Sequence, residues 1–143
     1  MSNISPNFIL QEMIHGIFAI PFAYIIFIKT RSLKSALFVI LLTYLLDLDH
    51  LVDYFLYFGF KFNVFDFISA SYFLNTKRAI VPFHAWEWTL LLFPLSYRKG
   101  WRSVFTILLF ALIPHLIYDS LVVGSFVFYS IIYRGLKGFV NIN

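Results

Sequence analysis

The stretch SALFVILLTYLLDLDHLVDYFLYF, residues 35–58, joins a long apolar run to a group of acids around one histidine. It contains no lysine or arginine, and as one helix it is long enough to cross the ~30 Å hydrocarbon core of a bilayer. Its polar residues are Asp47, Asp49, His50 and Asp53. Because ionisable side chains inside membrane helices are costly, they usually mark functional sites. This stretch therefore predicts a membrane span that carries a polar site.

Three further runs without lysine or arginine, residues 8–28, 81–97 and 103–133, flank this stretch. We therefore predict an all-α integral membrane protein, one domain over residues 1–143, built as a bundle of four or five transmembrane helices. The last run is too long for one straight span and contains Pro114 and Gly124. Residues 124–133 are predicted to form either a short interfacial helix or part of a fifth span. The four main spans are predicted at residues 8–28, 35–58, 81–97 and 103–123.

The composition excludes most soluble classes of protein. Of the 143 residues, 61% are hydrophobic and 13% are charged, whereas soluble domains average about half apolar and a quarter charged. A water-soluble fold of this size has too little interior for so much apolar surface. The chain has no cysteine, which excludes disulfides, thiolate metal sites and cysteine nucleophiles.

The basic residues predict the orientation of the spans. The short connections after the first and third spans, residues 29–34 and 98–102, hold six lysines and arginines, which predicts that they are cytoplasmic. The N-terminus and the second connection, residues 59–80, then lie outside. That connection is rich in phenylalanine, and it is predicted to be either an interfacial or re-entrant lid or a plain amphipathic surface segment. The net charge of +4 thus reflects topology, and no nucleic-acid partner is predicted.

The acids and histidines are paired along the chain. Six of the seven acids lie within four residues of one of the four histidines, and Asp66 is the exception. Spacings of three and four residues place two side chains on one face of a helix. The pairs are Glu12 with His15, Asp47 with His50, His84 with Glu87, and His115 with Asp119, while Asp49 and Asp53 flank His50.

The energetics of insertion favour a bound metal. A carboxylate at the centre of a membrane helix costs roughly 2.5–3.5 kcal/mol, and no lysine or arginine in any predicted span offers a partner. Divalent cations are the simplest compensation, and protonation of some acids is the alternative. With alternating helix directions, all four pairs fall in the half of the bilayer nearer the N-terminus. Helix bundles build metal sites from facing helices in this way.

Each pair also has a purely structural interpretation. A membrane histidine such as His15 commonly serves as an interhelical hydrogen-bond partner. Glu12, near the start of its span, is predicted to cap the helix or face water more readily than to bind metal. Asp47-Leu48-Asp49-His50 favours metal binding more strongly, because capping a helix needs only one acid.

At these residues the chain resembles the membrane-bound metal-dependent hydrolases, which are bacterial inner-membrane proteins with one branch called LexA-binding. The resemblance covers residues 15–119 and rests on about eight positions. It departs from the family at Leu46, where members often have proline. It departs again in the third motif, where many members have a second histidine and this chain has Glu87. It implies a location in a bacterial inner membrane. It also implies metal positions at His15, Asp47, Asp49, His50, His84, His115 and Asp119.

The leading hypothesis is therefore a metal-dependent hydrolase with one or two divalent ions, Zn²⁺ first and Mn²⁺ or Fe next, since the ligands are nitrogen and oxygen. Glu87 or Asp53 would act as general base, and a site inside the membrane favours an amphiphilic, phosphoester-containing lipid substrate. Three other hypotheses stay open: an iron-dependent lipid hydroxylase or desaturase, a proton or metal-ion carrier, and a structural subunit whose polar residues lock helices together.

Overall fold

The computed structural model describes residues 6–140, which form eight α-helices and two short 3₁₀ turns. Within that range the only pairing of extended chain is an isolated antiparallel bridge between Arg78 and Val140. The helices are α1 (Pro6–Thr30), α2 (Leu33–Leu45), α3 (His50–Phe58), α4 (Val64–Ile68), α5 (Ser71–Thr76), α6 (Trp86–Lys99), α7 (Val104–Val123) and α8 (Ile131–Leu136). The 3₁₀ turns are Leu46–Asp49 and Val127–Tyr129.

Three helical segments are long and apolar enough to cross a membrane: Glu12–Thr30, Leu33–Phe58 and Val104–Val123. They confirm the all-helical class and coincide with three of the four predicted spans. The second segment contains the 3₁₀ turn Leu46–Asp49 between α2 and α3, so the acidic motif sits where the helix changes pitch. A change of helix type inside a span commonly accompanies function, and here it coincides with the polar group.

The third predicted span is shorter than expected. Helix α6 begins at Trp86 and has 14 residues, or about 21 Å of length, which is less than the hydrocarbon core. Residues 81–85 precede it as non-helical chain. A fourth span is therefore not established by length and composition. After Gly124, the helical segments within residues 125–140 are the second 3₁₀ turn and the six-residue α8, and none of the three candidate spans lies there.

The non-helical chain before α6 is held by two carboxylates of the second span. The backbone N–H groups of Ile80 and Val81 donate to the two Asp53 oxygens at 2.8 and 2.9 Å. Those of Phe83 and His84 donate to Asp49 Oδ2 at 2.7 and 3.3 Å. Irregular backbone at membrane depth requires such partners, because the bilayer core offers no water.

Helices α1, α2 and α7 pack against one another, and α6 packs on α7. Their shared core contains Ala23, Ile26, Ala36, Val39 and Ala111, whose small alanines let the backbones approach closely. At the basic end, Arg102 Nη2 donates to the carbonyl oxygen of Thr30 at 3.0 Å, which ties the start of α7 to the end of α1. The His/Asp pairs lie toward the opposite ends of these helices.

The connection between α3 and α6 folds back over the polar end of the bundle. Tyr54 of α3 is buried among the rings of Phe62, Phe67 and Tyr72, and its hydroxyl oxygen accepts from the Asn63 N–H at 2.8 Å. Helices α4 and α5 thus form an aromatic cover, residues 64–76, over Tyr54 and the polar end of the bundle.

Candidate metal centre

The structure brings the predicted metal ligands together from four parts of the chain. His15 comes from α1, Asp47 from the 3₁₀ turn, His84 from the carboxylate-held loop, and His115 from α7. The side chains of His84 and His115 are 2% and 0% exposed, so this polar group lies inside the protein.

Four side chains, Asp47, His84, His115 and Asp119, form the centre of the cluster. Asp47 Oδ1 lies 3.3 Å from His84 Nε2 and 3.5 Å from His115 Nε2. Asp119 Oδ2 lies 3.4 and 3.2 Å from the same two nitrogens, which are 2.8 Å apart. Ligand atoms that share one ion at bond lengths near 2.1 Å are about 3.0–3.4 Å apart. These separations are therefore close to those of a coordination shell.

His15 extends the cluster on one side. Its Nε2 atom lies 2.8 Å from Asp119 Oδ1, and its ring stacks on that of His115 with centroids 4.4 Å apart. Asp119 thus directs one oxygen toward His15 and the other toward His84 and His115. One ligand atom each from His15, Asp47 and His115 lies within 4.8 Å of the others, a spacing that could hold a metal ion.

His50 extends the cluster on the other side. Its ring stacks on that of His84 at 4.9 Å, and its Nε2 atom lies 3.8 Å from Asp47 Oδ1. Asp47, His50 and His84 form a second group that could hold an ion, and His84, His115 and Asp119 form a third. Asp47, His84 and His115 each belong to two of the three groups, so the groups overlap and share candidate ligands.

Asp49 orients His84 rather than joining these groups. The Nδ1 atom of His84 lies 3.0 Å from Asp49 Oδ2, and a carboxylate oxygen can accept a hydrogen bond from an imidazole N–H. An N–H at Nδ1 would leave Nε2, the atom nearest to Asp47, His115 and Asp119, available to a metal. A carboxylate behind a metal-bound histidine fixes its tautomer in this way.

Three buried atoms of the His/Asp side chains have no hydrogen-bond partner among the described residues. They are Asp47 Oδ2, Asp49 Oδ1 and His115 Nδ1. The ion pairs of the cluster within residues 6–140 run only between aspartates and histidines, with no lysine or arginine among them. Buried carboxylates without a lysine or arginine partner are costly, and a divalent cation held by Asp47, His84, His115 and Asp119 would balance their negative charge. The residues therefore fit a metal ion.

A cavity of about 410 Å³ lies beside the cluster. One wall is polar, with Glu12, His15, Asp47, His50 and Asp119. The rest of its lining is largely aromatic and apolar, from Tyr44, Leu48, Phe67, Ile68, Ala70, Tyr72, Phe73 and Tyr129. The aromatic cover thus forms one side of the cavity, and a molecule inside it would meet charged and apolar surfaces together.

The two predicted general bases face backbone groups instead of the cavity. Asp53 accepts from Ile80 and Val81, as described above. Glu87 accepts from the Ser130 hydroxyl at 2.5 Å and from the N–H groups of Ile131 and Ile132 at 3.1 and 3.2 Å. Neither belongs to a group that could hold a metal. Their contacts are those of residues that fix the loop and the start of α8.

Arg134 is a site feature that the sequence did not indicate. The sequence places it in a basic tail, yet its side chain is 0% exposed, and Nη2 donates to the carbonyl oxygens of Val81 and His84. Burial lowers the pKa of the Arg134 guanidinium, while Tyr129 and nearby acids oppose that shift, and arginine stays charged. Burial, with the Asp119 carboxylate, raises the pKa of Tyr129 and keeps the phenol protonated.

Comparisons with protein-family models, curated proteins and solved structures gave no match for this chain. The resemblance to membrane-bound metal-dependent hydrolases is therefore untested and stays a prediction. The function has to be argued from the chemistry of the cluster and its cavity.

Proposed function

We propose that the protein is an integral membrane metalloenzyme that hydrolyses an amphiphilic phosphoester, with Asp47, His84, His115 and Asp119 as its central ligands. The observation that carries the proposal is the set of five separations of 2.8–3.5 Å among these four side chains. A bound divalent ion would lower the pKa of a water molecule and polarise a phosphoryl oxygen.

The ligand set supports one or two ions, with Zn²⁺ as the first candidate. Imidazole and carboxylate ligands without sulfur suit Zn²⁺, Mn²⁺ and Fe. His15 and His50 flank the centre on opposite sides, and Asp47 shares a candidate group with each of them. If two ions bind, Asp47 would be a ligand available to both, and two-metal sites are common in phosphoester hydrolases.

The shape of the cavity supports an amphiphilic substrate. A phosphoester head group would lie against the polar wall formed by His15, Asp47, His50 and Asp119, with its apolar part against Leu48, Phe67 and Phe73. This arrangement also suits a location in the membrane, which the three apolar helices support.

Glu12 is the carboxylate best placed to act as general base. It lies in the cavity wall one helical turn before His15, and it belongs to none of the three candidate metal groups. The carboxylates of Glu87 and Asp53, by contrast, accept backbone hydrogen bonds. We therefore propose that Glu12 accepts the proton of the attacking water and that Glu87 and Asp53 maintain the loop.

The test is hydrolysis by the purified protein in lipid nanodiscs, loaded with Zn²⁺ or Mn²⁺ and given phospholipid and bis(p-nitrophenyl) phosphate. We expect turnover that a chelator abolishes and that Asp119→Ala lacks. Glu12→Gln should lower kcat by about 10²–10⁴-fold while it retains metal, because it loses only the proton acceptor. Metal-loaded protein that moves ions across liposomes but turns over neither compound would contradict hydrolysis and favour the carrier.

A further inference from the structure

The loop that carries His84, residues 81–85, accepts and donates hydrogen bonds on two sides. On one side, Asp49 and Asp53 accept its backbone N–H groups. On the other side, Arg134 Nη2 donates to the carbonyl oxygens of Val81 and His84 at 3.1 and 2.9 Å. Val81 and His84 are therefore each held at both N–H and C=O.

The held backbone is strained. Val81 has φ of +28°, which a β-branched residue rarely adopts. Such a conformation persists only where the surrounding contacts over-determine it. Asp53 holds the Val81 N–H and Arg134 holds the Val81 carbonyl, so removal of either contact would let the loop relax. His84 lies three residues further along the same loop.

Arg134 is itself fixed by the C-terminal segment. Its helix α8 begins where Glu87 accepts from the Ser130 hydroxyl and from two backbone N–H groups. The Arg134 guanidinium lies over the Phe128 ring, 5.6 Å from its centroid. The backbone carbonyl oxygen of Arg134 accepts a hydrogen bond from the Phe139 N–H at 2.7 Å. The Phe139 carbonyl oxygen in turn accepts a hydrogen bond from the N–H of Ala79, two residues before Val81.

The Arg134 guanidinium does not form a surface ion pair. It is fully buried, and its Nε and Nη1 atoms have no hydrogen-bond partner among the described residues. None of the ion pairs among those residues includes Arg134, so no described carboxylate lies within 4.0 Å of it. Burying an arginine whose guanidinium bonds only two carbonyl oxygens costs desolvation free energy. We therefore expect these two hydrogen bonds to do more than anchor α8.

We infer that Arg134 is a positioning residue of the metal centre: it holds the strained Val81–His84 loop so that His84 Nε2 points at the cluster. The inference rests on the proposed metal site. It makes residues 130–140 part of the site although they supply no ligand. In consequence, loss of Arg134 should weaken metal binding without loss of any coordinating atom.

The test measures Zn²⁺ affinity by chelator competition, and the absorption spectrum of the Co²⁺-loaded protein, for Arg134→Met, Arg134→Lys and Arg102→Met. Arg102→Met is the matched control, because it removes a similar guanidinium bond to a carbonyl oxygen at the opposite end of the bundle. We expect Arg134→Met to lower Zn²⁺ affinity about 10–100-fold, as loss of an outer partner of a ligand does, and to alter the Co²⁺ spectrum. Arg134→Lys should restore part of the affinity, and Arg102→Met should match the wild type.

Four outcomes decide the inference. Wild-type affinity and spectrum in a folded Arg134→Met variant would overturn it. A loss of affinity equal to that of Arg102→Met would overturn it as well. If both Arg134 variants unfold when metal-free, judged by helix content and thermal unfolding, the role is fold stability and the inference fails. A wild-type protein that binds no Zn²⁺ or Co²⁺ refutes the proposed function instead, which is a distinguishable result.

Discussion

Asp49 contacts His84 and its loop but belongs to none of the candidate metal groups. Its Oδ2 atom accepts from His84 Nδ1 and from the N–H groups of Phe83 and His84. A single carboxylate thus contacts both the ring of a candidate ligand and the backbone of the loop that carries it. The neighbouring Asp47, two residues earlier, faces the cluster itself. The sequence alone groups these two acids as equal ligands, and the structure gives them different contacts.

Substitution of Asp49 should weaken metal binding without removing a central ligand. For Asp49→Ala we expect Zn²⁺ affinity to fall about 10–100-fold, because His84 loses the partner that orients its ring. Asp49→Asn should lose less, since its amide oxygen still accepts one N–H. Chelator competition measures both values. Asp66→Ala, which changes an acid outside the cluster, is the control, and equal affinity for Asp49→Ala and Asp66→Ala would contradict the role.

At the scale of elements, the contact between α1 and α2 depends on Gly16. A Cβ atom at this position would overlap the hydroxyl of Tyr44, which lines the cavity. Gly16 lies one residue after His15, and Tyr44 lies three before Asp47. The close approach of the two helices therefore sets the distance between ligands that belong to different spans.

Gly16→Ala should cost about 1 kcal/mol of stability, because overpacking against the Tyr44 ring costs about 1–3 kcal/mol and the helix propensity of alanine returns about 1 kcal/mol. Tyr44→Leu in the same chain should recover part of this loss, because it removes the ring that the new methyl group meets. Thermal unfolding of the single and double variants measures the coupling. Gly135→Ala is the matched control, since a Cβ atom there meets only Phe139 at 3.9 Å. Strictly additive effects of the Gly16 and Tyr44 substitutions would refute the contact.

The elements also show how far the sequence could be read. Apolar runs without lysine or arginine locate α1, α2 with α3, and α7, because insertion energetics act on local composition. The spacing of histidines and acids locates the cluster for the same local reason. The start of α6 at Trp86 is not predictable from the sequence, because it depends on hydrogen bonds from the loop N–H groups to Asp49 and Asp53 across the fold. Burial of Arg134 depends on the docking of α8, which has no periodic signal in six residues.

At the scale of the whole molecule, the two ends of the bundle differ in charge. The basic end holds the connections between α1 and α2 and between α6 and α7, and the opposite end holds the cluster, its aromatic cover and α8. We propose that α6 completes a fourth crossing together with the carboxylate-held loop, since it runs between these two ends. With the orientation that the basic connections predict, the cluster would then lie on the non-cytoplasmic side of the membrane.

Because the chain has no cysteine, single cysteines can test this topology directly. We expect a membrane-impermeant maleimide to label Ser69→Cys on intact cells, and to label Lys34→Cys and Lys99→Cys only after permeabilisation. The reverse pattern would contradict the orientation. Labelling of Lys99→Cys but not Lys34→Cys on intact cells would show that α6 does not cross the membrane.

The central claim is that the cluster is a metal centre, and metal analysis of the purified protein tests it most directly. The protein should be isolated without chelator and its metals quantified by mass spectrometry, beside His115→Ala and Asp66→Ala. We predict about one or two divalent ions per chain in the wild type and in Asp66→Ala, and nearly none in His115→Ala. Less than about half an ion per chain in the wild type, or equal metal content in His115→Ala, would contradict the account.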